Sequence, residues 1–264
     1  MRITMLGTGT SHGVPTIDCM RQGYRNCPQQ VCLKAVDNPR HRRTRSSILV
    51  VNDGHTLLID TSQDFRTQML ATEVTHIDAV LYTHGHADHI YGLPDIRSYT
   101  WPGDPPLPIY GSSETLGALR ETFQYVFSPP EYVGGGIPRL TPHLVEAPFE
   151  LAGFPVVPIP VEHGNLQGCQ GYRLGSVAYL PDVHHIGAAS LQLLKGLDLL
   201  IINCLRSRPH SSHLSLEESL RYVELIAPRW ALFTHMTHDI DYQLIDPSLP
   251  PQVRCAYDGQ VIEL

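Results

Sequence analysis

The chain has 264 residues, 42% of them hydrophobic and 17% charged, with 21 glycines and 22 prolines, the balance of an ordinary soluble globular protein. A formal net charge of −7 argues against a general nucleic-acid or anionic-membrane surface, because both need a positive field. No stretch approaches the roughly eighteen apolar residues of a membrane span, and the opening "MRITMLGTGTSHG" has no long apolar run followed by a cleavage site, so a cytoplasmic location is expected.

No Ser/Gly linker, charge block or fixed-period repeat divides the sequence, which predicts one domain over residues 1–264. In chain order, apolar runs rich in β-branched residues recur with turns between them. They are "RITML", "SSILVVN", "HTLLID", "AVLYTH" and "LPIYG", then "PVVPIPVEH", "SVAYLPD", "LDLLIINC", "RWALFTH" and "QVIEL". They read as strands of buried sheets. Helical periodicity marks "SSETLGALRETFQYVF", "GAASLQLLKG" and "LSLEESLRYVELI", the last opening on a capping box of Ser215 and Glu218. Many strands and few helices predict an α/β protein in which two sheets pack together with helices outside.

The residues able to do chemistry follow the strand-like runs: Asp60 after "TLLI", His84 after "AVLYT", His163 after "VVPIPVE", Asp182 after "SVAYLP" and His235 after "RWALFT". Strand ends of a packed sheet converge on one edge, so residues distant in sequence can meet there. The densest stretch is "THGHADH", with His84, His86, Asp88 and His89. A histidine pair two residues apart at a strand end can face one metal, and the Asp-His pair one short turn later is placed for a second. Neutral imidazole and carboxylate together bind zinc, manganese or iron, and two such ions close together can share a bridging hydroxide. The helical H-E-x-x-H scheme is excluded, because no glutamate lies between the histidines. His55, His76 and His143 read as surface or loop residues. His184 and His185 read as neighbours of the site that support ligands rather than act as ligands.

Taken together, "THGHADH", His163 in "VEHG", Asp182 in "YLPD" and His235 in "LFTHMTH" resemble the metallo-β-lactamase-fold hydrolases in order and separation over most of the chain. The resemblance implies an αββα sandwich of two mixed sheets with helices on the outer faces. It implies that His84, His86 and His163 hold one divalent ion, that Asp88, His89 and His235 hold a second, and that Asp182 bridges both. Asp60, in "LLIDTS", matches the family's aspartate that orients a ligand histidine. Zinc or manganese is the expected metal, and such ligand sets also accept iron or nickel.

The opening "LGTGTSHGVP", followed by Cys19, Cys27 and Cys32 and later by "THMTH", is similar to the PhnP-like phosphodiesterase branch of that family. The branch holds a structural zinc on three N-terminal cysteines and a histidine, which implies Cys19, Cys27, Cys32 and His238 here, in a loop near 19–32. Such a Cys3His set is a closed tetrahedral site that stabilises folding and leaves no position for substrate. The spacing departs from the family's C-x-C-x2-C, reading C-x7-C-x4-C with "MRQGYRN" inserted. Cys169, Cys204 and Cys255 sit singly beside apolar residues and read as small core residues; disulfides are not expected.

A dinuclear site does not by itself choose among esters, thioesters, lactams and phosphodiesters; the group that protonates the leaving atom does. "RPHSSHLSL" supplies His210 and His213, and His213 matches the histidine that phosphodiesterase members of the fold place in this region. A departing alkoxide needs a proton, which an imidazole can give, whereas a thiolate leaves unaided. The same histidine could instead cap the helix beginning near Leu214.

The expected reaction is hydrolysis of a small cyclic or nucleotide-like phosphodiester by metal-bridged hydroxide, with His213 as general acid and Asp88 also in the catalytic set. The rivals on this fold are a tRNA 3′-processing endonuclease and a thioester or lactone hydrolase. A non-catalytic binding protein would have lost ligands, and all seven candidates are present. The endonuclease would bring a long basic, glycine-rich arm, which the sequence lacks. A homodimer is compatible with the resemblance. Two further segments stay open: "RHRRTR", Arg40 to Arg45, as a solvated turn or a phosphate-facing patch, and "SPPEYVGGGIP", Ser128 to Pro138, as a gate or a partner contact.

Overall fold

The computed structural model describes residues 1–129 and 136–264. The first six strands are β1 (Arg2–Gly7), β2 (Ser47–Asn52), β3 (His55–Ile59), β4 (Ala79–Leu81), β5 (Leu107–Gly111) and β6 (Leu140–Leu144). The next seven are β7 (Phe149–Leu151), β8 (Phe154–Pro160), β9 (Gln170–Leu174), β10 (Val177–Leu180), β11 (Leu199–Asn203), β12 (Trp230–Thr234) and β13 (Val253–Cys255), and β14 (Val261–Glu263) ends the series. The first six build one sheet and the next seven another, while β14 returns to pair with β1. The orders are β14-β1-β2-β3-β4-β5-β6 and β13-β12-β11-β10-β9-β8-β7.

Both sheets are mixed. In the first, β3 through β6 run parallel while β14, β1, β2 and β3 are antiparallel neighbours. In the second, β10 through β13 are parallel and β7 through β10 antiparallel. The strands read as continuous apolar runs because both faces are covered. Ile48, Leu57, Ile59 and Leu81 meet Val156, Tyr179, Ile201 and Leu232 between the sheets. The alternate residues Leu49, Leu58, Val80 and Ile109 face the helices Phe65–Thr72 and Ser113–Thr122 through Phe65, Met69, Leu116 and Leu119. On the opposite outer face, Ala178, Leu200, Ile202 and Phe233 pack under Val223 and Ile226 of the helix Leu216–Ile226. The result is the helix–sheet–sheet–helix sandwich expected from the sequence.

The Ser215 capping box forms: Glu218 N donates to Ser215 Oγ, and Ser215 N donates back to Glu218 Oε2 at 2.8 Å. The helix foreseen over Ser112 to Phe127 is interrupted at Phe123, giving Ser113–Thr122 and Gln124–Phe127. Four strands, β6, β7, β9 and β13, have no counterpart among the apolar runs. Among the described residues, no helix is long and apolar enough to cross a membrane.

Strand direction positions the site. β3 and β4 run the same way in one sheet. In the other, β8 and β10 are both antiparallel to β9, and β10, β11 and β12 are parallel. The residues that follow β3, β4, β8, β10 and β12 therefore emerge together at one edge of the sandwich.

Candidate metal centre

Two of these strand ends carry backbone strain. Asp60 has φ +66° and His235 has φ +55°, the left-handed region that side chains disfavour, at a cost of about 1–3 kcal/mol each. Asp88 and His89 ride on the one-turn helix Ala87–Ile90, which approaches the turn after β3 closely because Gly92 lacks a side chain. A Cβ there would stand 2.3 Å from Ser62 O and 2.5 Å from Phe65 Cβ.

His84 Nε2 and His163 Nε2 lie 3.1 and 3.3 Å from His86 Nδ1. Two ligand nitrogens on a tetrahedral ion, each bonded at about 2.0–2.1 Å, stand about 3.3 Å apart. Asp88, His89 and His235 form a second set, with His89 Nε2 at 3.5 Å and His235 Nε2 at 4.0 Å from Asp88 Oδ2. Asp182 lies between the sets: its Oδ2 is 2.9 Å from His89 Nε2, and its Oδ1 is 3.2 Å from His235 Nε2 and 3.8 Å from His163 Nε2. The His89 and Asp182 atoms are close but not aligned as a hydrogen bond, and both are buried without a partner. Atoms that converge on shared space instead of on each other fit a cation held between them, so the residues present suit two divalent ions.

Asp60 supports this ring from behind. Its carboxylate accepts from Thr83 N and Thr83 Oγ1, each at 2.8 Å, and meets His89 Nδ1 at 2.8 Å. His163 Nδ1 is fixed by Ser212 O at 2.7 Å. With the outer nitrogen engaged, the inner Nε2 of each ring is left for the ion. Thr83 and Ser212 were not legible as site residues, although each adjoins a histidine that was.

Burial, reinforced by neighbouring histidines, holds His84 well below the ordinary histidine range and lowers His86. Burial pushes Asp182 and Asp88 the other way, but at Asp182 the histidines His235 and His89, and at Asp88 His89 and then His235, outweigh it and keep both carboxylates ionised. His89 is the exception: burial opposes its charge, yet Asp182, Asp60 and Asp88 together raise it well above the ordinary value. Asp60 is itself raised by burial despite His89, so the His89 charge is shared chiefly with Asp182. Metal binding at the second set would therefore release a proton from His89. His213 Nδ1 stands 3.3 Å from Asp182 Oδ1, and burial pushes its ring down to about 3 although Asp182 opposes the shift. The helix cap nearby is Ser215, not His213.

The cysteines meet His238 at the same edge. Cys19 Sγ, Cys32 Sγ and Cys27 Sγ lie 3.2, 3.3 and 3.9 Å from His238 Nδ1. A tetrahedral zinc with bonds of about 2.3 Å to sulfur and 2.0–2.1 Å to nitrogen sets that separation at about 3.6 Å. Burial pushes the Cys32 thiol up to about 12, so only a cation would make it a thiolate there. The altered cysteine spacing is absorbed by two short helices, Ile17–Arg21 and Val31–Asp37, which bring all three sulfurs together. Cys169, Cys204 and Cys255 are buried and free.

"RHRRTR" takes neither role foreseen for it. Arg43 is buried and donates to Thr237 O at 2.6 Å and Ile240 O at 2.7 Å, clasping the turn that carries His238. Arg42 binds Ala35 O and Val36 O at the end of the Val31–Asp37 helix, Arg45 pairs with Asp64, and Arg40 lies over the Tyr242 ring. The backbones of His184 and His185 pair with Glu162, the residue before His163, and both residues also line a cavity on the outer face. His55 and His76 both pair with Asp78, and His143 stacks on Tyr110. Of the segment Ser128 to Pro138, residues 130–135 lie outside the described residues.

A family model described as "Beta-lactamase superfamily domain" matches residues 55–236, the span from β3 to just past His235. The crystal structure of a diphosphatase from the PhnP family is 38% identical, with a TM-score of 0.88, covering 100% of this chain and 97% of that one. The chain belongs to the PhnP family of the beta-lactamase superfamily. It is thus a metallo-β-lactamase-fold hydrolase, and the fold implies divalent metal ions. An octanoyltransferase of Porphyromonas gingivalis is 36% identical over 98% of this chain, which spans about half of that protein's length (51%). Zinc-bound PqqB from Methylobacterium extorquens, at 21% identity and a TM-score of 0.78 with full coverage of both chains, shares the fold.

Proposed function

We propose that this PhnP-family chain hydrolyses a small phosphodiester, cyclic or nucleotide-like, at a site of two divalent ions. His84, His86 and His163 would hold one ion, Asp88, His89 and His235 the other, with Asp182 shared, and Cys19, Cys27, Cys32 and His238 would hold a structural zinc. When bound, the active-site pair supplies an activated water at neutral pH and stabilises negative charge on phosphorus oxygens. Zinc or manganese suits the donors, and so do iron and nickel.

The observation that carries the reading is His213. It lies outside the two sets assigned to the ions, although it forms a third convergent group with His163 and Asp182, and its Nδ1 opens on the same space, 3.3 Å from Asp182 Oδ1 and without a hydrogen-bond partner. That atom is placed to hand a proton to an oxygen leaving from the site, which an alkoxide needs and a thiolate does not. The ring is neutral in the free site, and an incoming phosphate anion favours its protonation. His163, held by Ser212 O, and His89, held by Asp60, keep the ligand ring rigid while the substrate turns over.

Cleavage of a diphosphate linkage is the second reading, favoured by the diphosphatase at 38% identity. Both reactions attack phosphorus and differ in the leaving group: a phosphate departs with less need of a proton than an alkoxide. An endonuclease acting on large RNA is disfavoured by the net charge of −7. Acyl transfer is not carried over from a protein twice as long.

The test is turnover of bis(p-nitrophenyl) phosphate, an alkyl cyclic phosphodiester and an alkyl diphosphate, beside a p-nitrophenyl ester and an acyl thioester, in the wild type and His213→Ala. The reading expects metal-dependent turnover of the diesters, with a loss of about 10²–10⁴-fold for the alkyl diester in the variant and a smaller one for the nitrophenyl diester. Turnover of the carboxylic and thioester substrates alone would refute it.

A further inference from the structure

Behind the site, on the outer face of the second sheet, lies a cavity of about 410 Å³ between the segment after Asp182 and the helix Leu216–Ile226. Its size is that of a small-molecule site, which typically spans about 300–1,000 Å³. One wall is a single face of the Leu216–Ile226 helix, since Glu218, Arg221, Tyr222 and Leu225 follow helical spacing while Val223 and Ile226 turn to the core. The other walls are the strand-end segment after Asp182 and Leu191 of the helix Ala188–Leu193.

The lining is divided in character. Ile186, Leu191, Leu214 and Leu225 are apolar, and Leu225 remains 55% exposed. Among the polar groups, Glu218 is engaged by Ser215, accepting from its N at 2.8 Å and its Oγ at 2.6 Å. Tyr222 OH is engaged as well, by Ile186 N at 3.0 Å and by His185 Nδ1 at 3.2 Å. The Arg221 guanidinium makes no ion pair or hydrogen bond among the described residues. What is left open is that one cation above an apolar floor, with the Glu218 carboxylate turned to Ser215. Such a surface complements an apolar body that ends in an anion.

We infer that this cavity binds a small amphiphilic organic anion, an apolar ring or chain bearing a carboxylate or sulfonate, with Arg221 on the charged end. The site is separate from the proposed phosphodiesterase centre and does not depend on that reading. The probe is 8-anilinonaphthalene-1-sulfonate, titrated into the full, metal-loaded chain and followed by fluorescence, with uncharged 1-anilinonaphthalene beside it. The expected result is one saturable site, weakened about tenfold by Arg221→Gln and by Leu225→Glu, which places a negative charge at the rim. Both side chains are exposed, so neither change threatens the fold, and circular dichroism checks this. Equal binding of the neutral compound, or sulfonate binding unmoved by both changes, would overturn the proposal. Concentration-dependent self-association that the sulfonate cannot displace and that Leu225→Glu abolishes would also overturn it, by assigning the face to a second copy of the chain.

Discussion

Asp60→Asn tests how the ligand ring is held. The carboxylate is fully buried and accepts three contacts: Thr83 N to Oδ1, and Thr83 Oγ1 and His89 Nδ1 to Oδ2. Asparagine keeps the shape and can still accept from Thr83 N with its oxygen. Its amide then occupies the Oδ2 position. Thr83 Oγ1 tolerates the change, because a hydroxyl can accept from the amide. His89 Nδ1 cannot, since a ring N–H would face an amide N–H. The ring then takes the tautomer with its proton on Nε2, the nitrogen 2.9 Å from Asp182 Oδ2, and that atom loses the lone pair a metal needs.

Loss of such an outer partner costs about 10–100-fold in metal affinity, or roughly 1.4–2.8 kcal/mol. The assay is competition between the protein and a calibrated chelator, with nitrogen NMR of the His89 ring reporting the tautomer. Weakened loading with a shifted tautomer is expected. Unchanged metal affinity in a folded variant would show that Asp60 does not act through His89 and would break the proposed ligand scheme at that residue.

Cys32→Ser is expected to lose one zinc equivalent by native mass spectrometry and to lower the melting temperature, whereas Cys169→Ser, at a buried thiol outside the cluster, leaves the metal content unchanged. Asp258, buried and accepting from Thr8 and Thr44, is raised by that burial from the ordinary value to about 6. Its folded value lies above its unfolded one, so its contribution to stability is full below about pH 4 and lost as pH rises through about 6, a span of roughly 3 kcal/mol. Urea unfolding of the wild type should show that decline relative to Asp258→Asn, whose amide can donate to Thr8 Oγ1 while its oxygen serves Thr44; parallel pH profiles would contradict it.

The sandwich was legible because its strands are buried on both faces, which makes apolar runs such as "SILVV" and "LLIIN" continuous. The four unread strands lie toward sheet edges or break the pattern. β6 holds a proline and is mostly exposed, β7 and β13 are three residues long, and β9 carries glycine and arginine. The candidate ligands were legible for a different reason: each follows a readable strand, and strand direction then brings them to one edge. Geometry of that kind does not show in the spacing of cysteines, and C-x7-C-x4-C says nothing of the two short helices that close the gap.

Arg43 marks the limit of reading charge from sequence. Within "RHRRTR" nothing separates it from the other arginines, yet of the four it alone is buried, with a folded partner that only tertiary structure supplies. Its backbone pairs with Val14 in both directions, at 2.8 and 2.9 Å, next to the segment that leads to Cys19, while its guanidinium clasps Thr237 O and Ile240 O. Met236 N is tied to Thr8 O and Thr237 N to Leu205 O, each at 2.9 Å. The turn from His235 to His238 therefore has little freedom of its own. His235 faces the carboxylates of the candidate metal centre and His238 faces the three cysteines, so one clamped turn of backbone fixes a ligand candidate for each centre. Burying a guanidinium is costly unless its donors find acceptors; the two carbonyls bracketing His238 take up Nη1 and Nη2, and Nε is left without a partner.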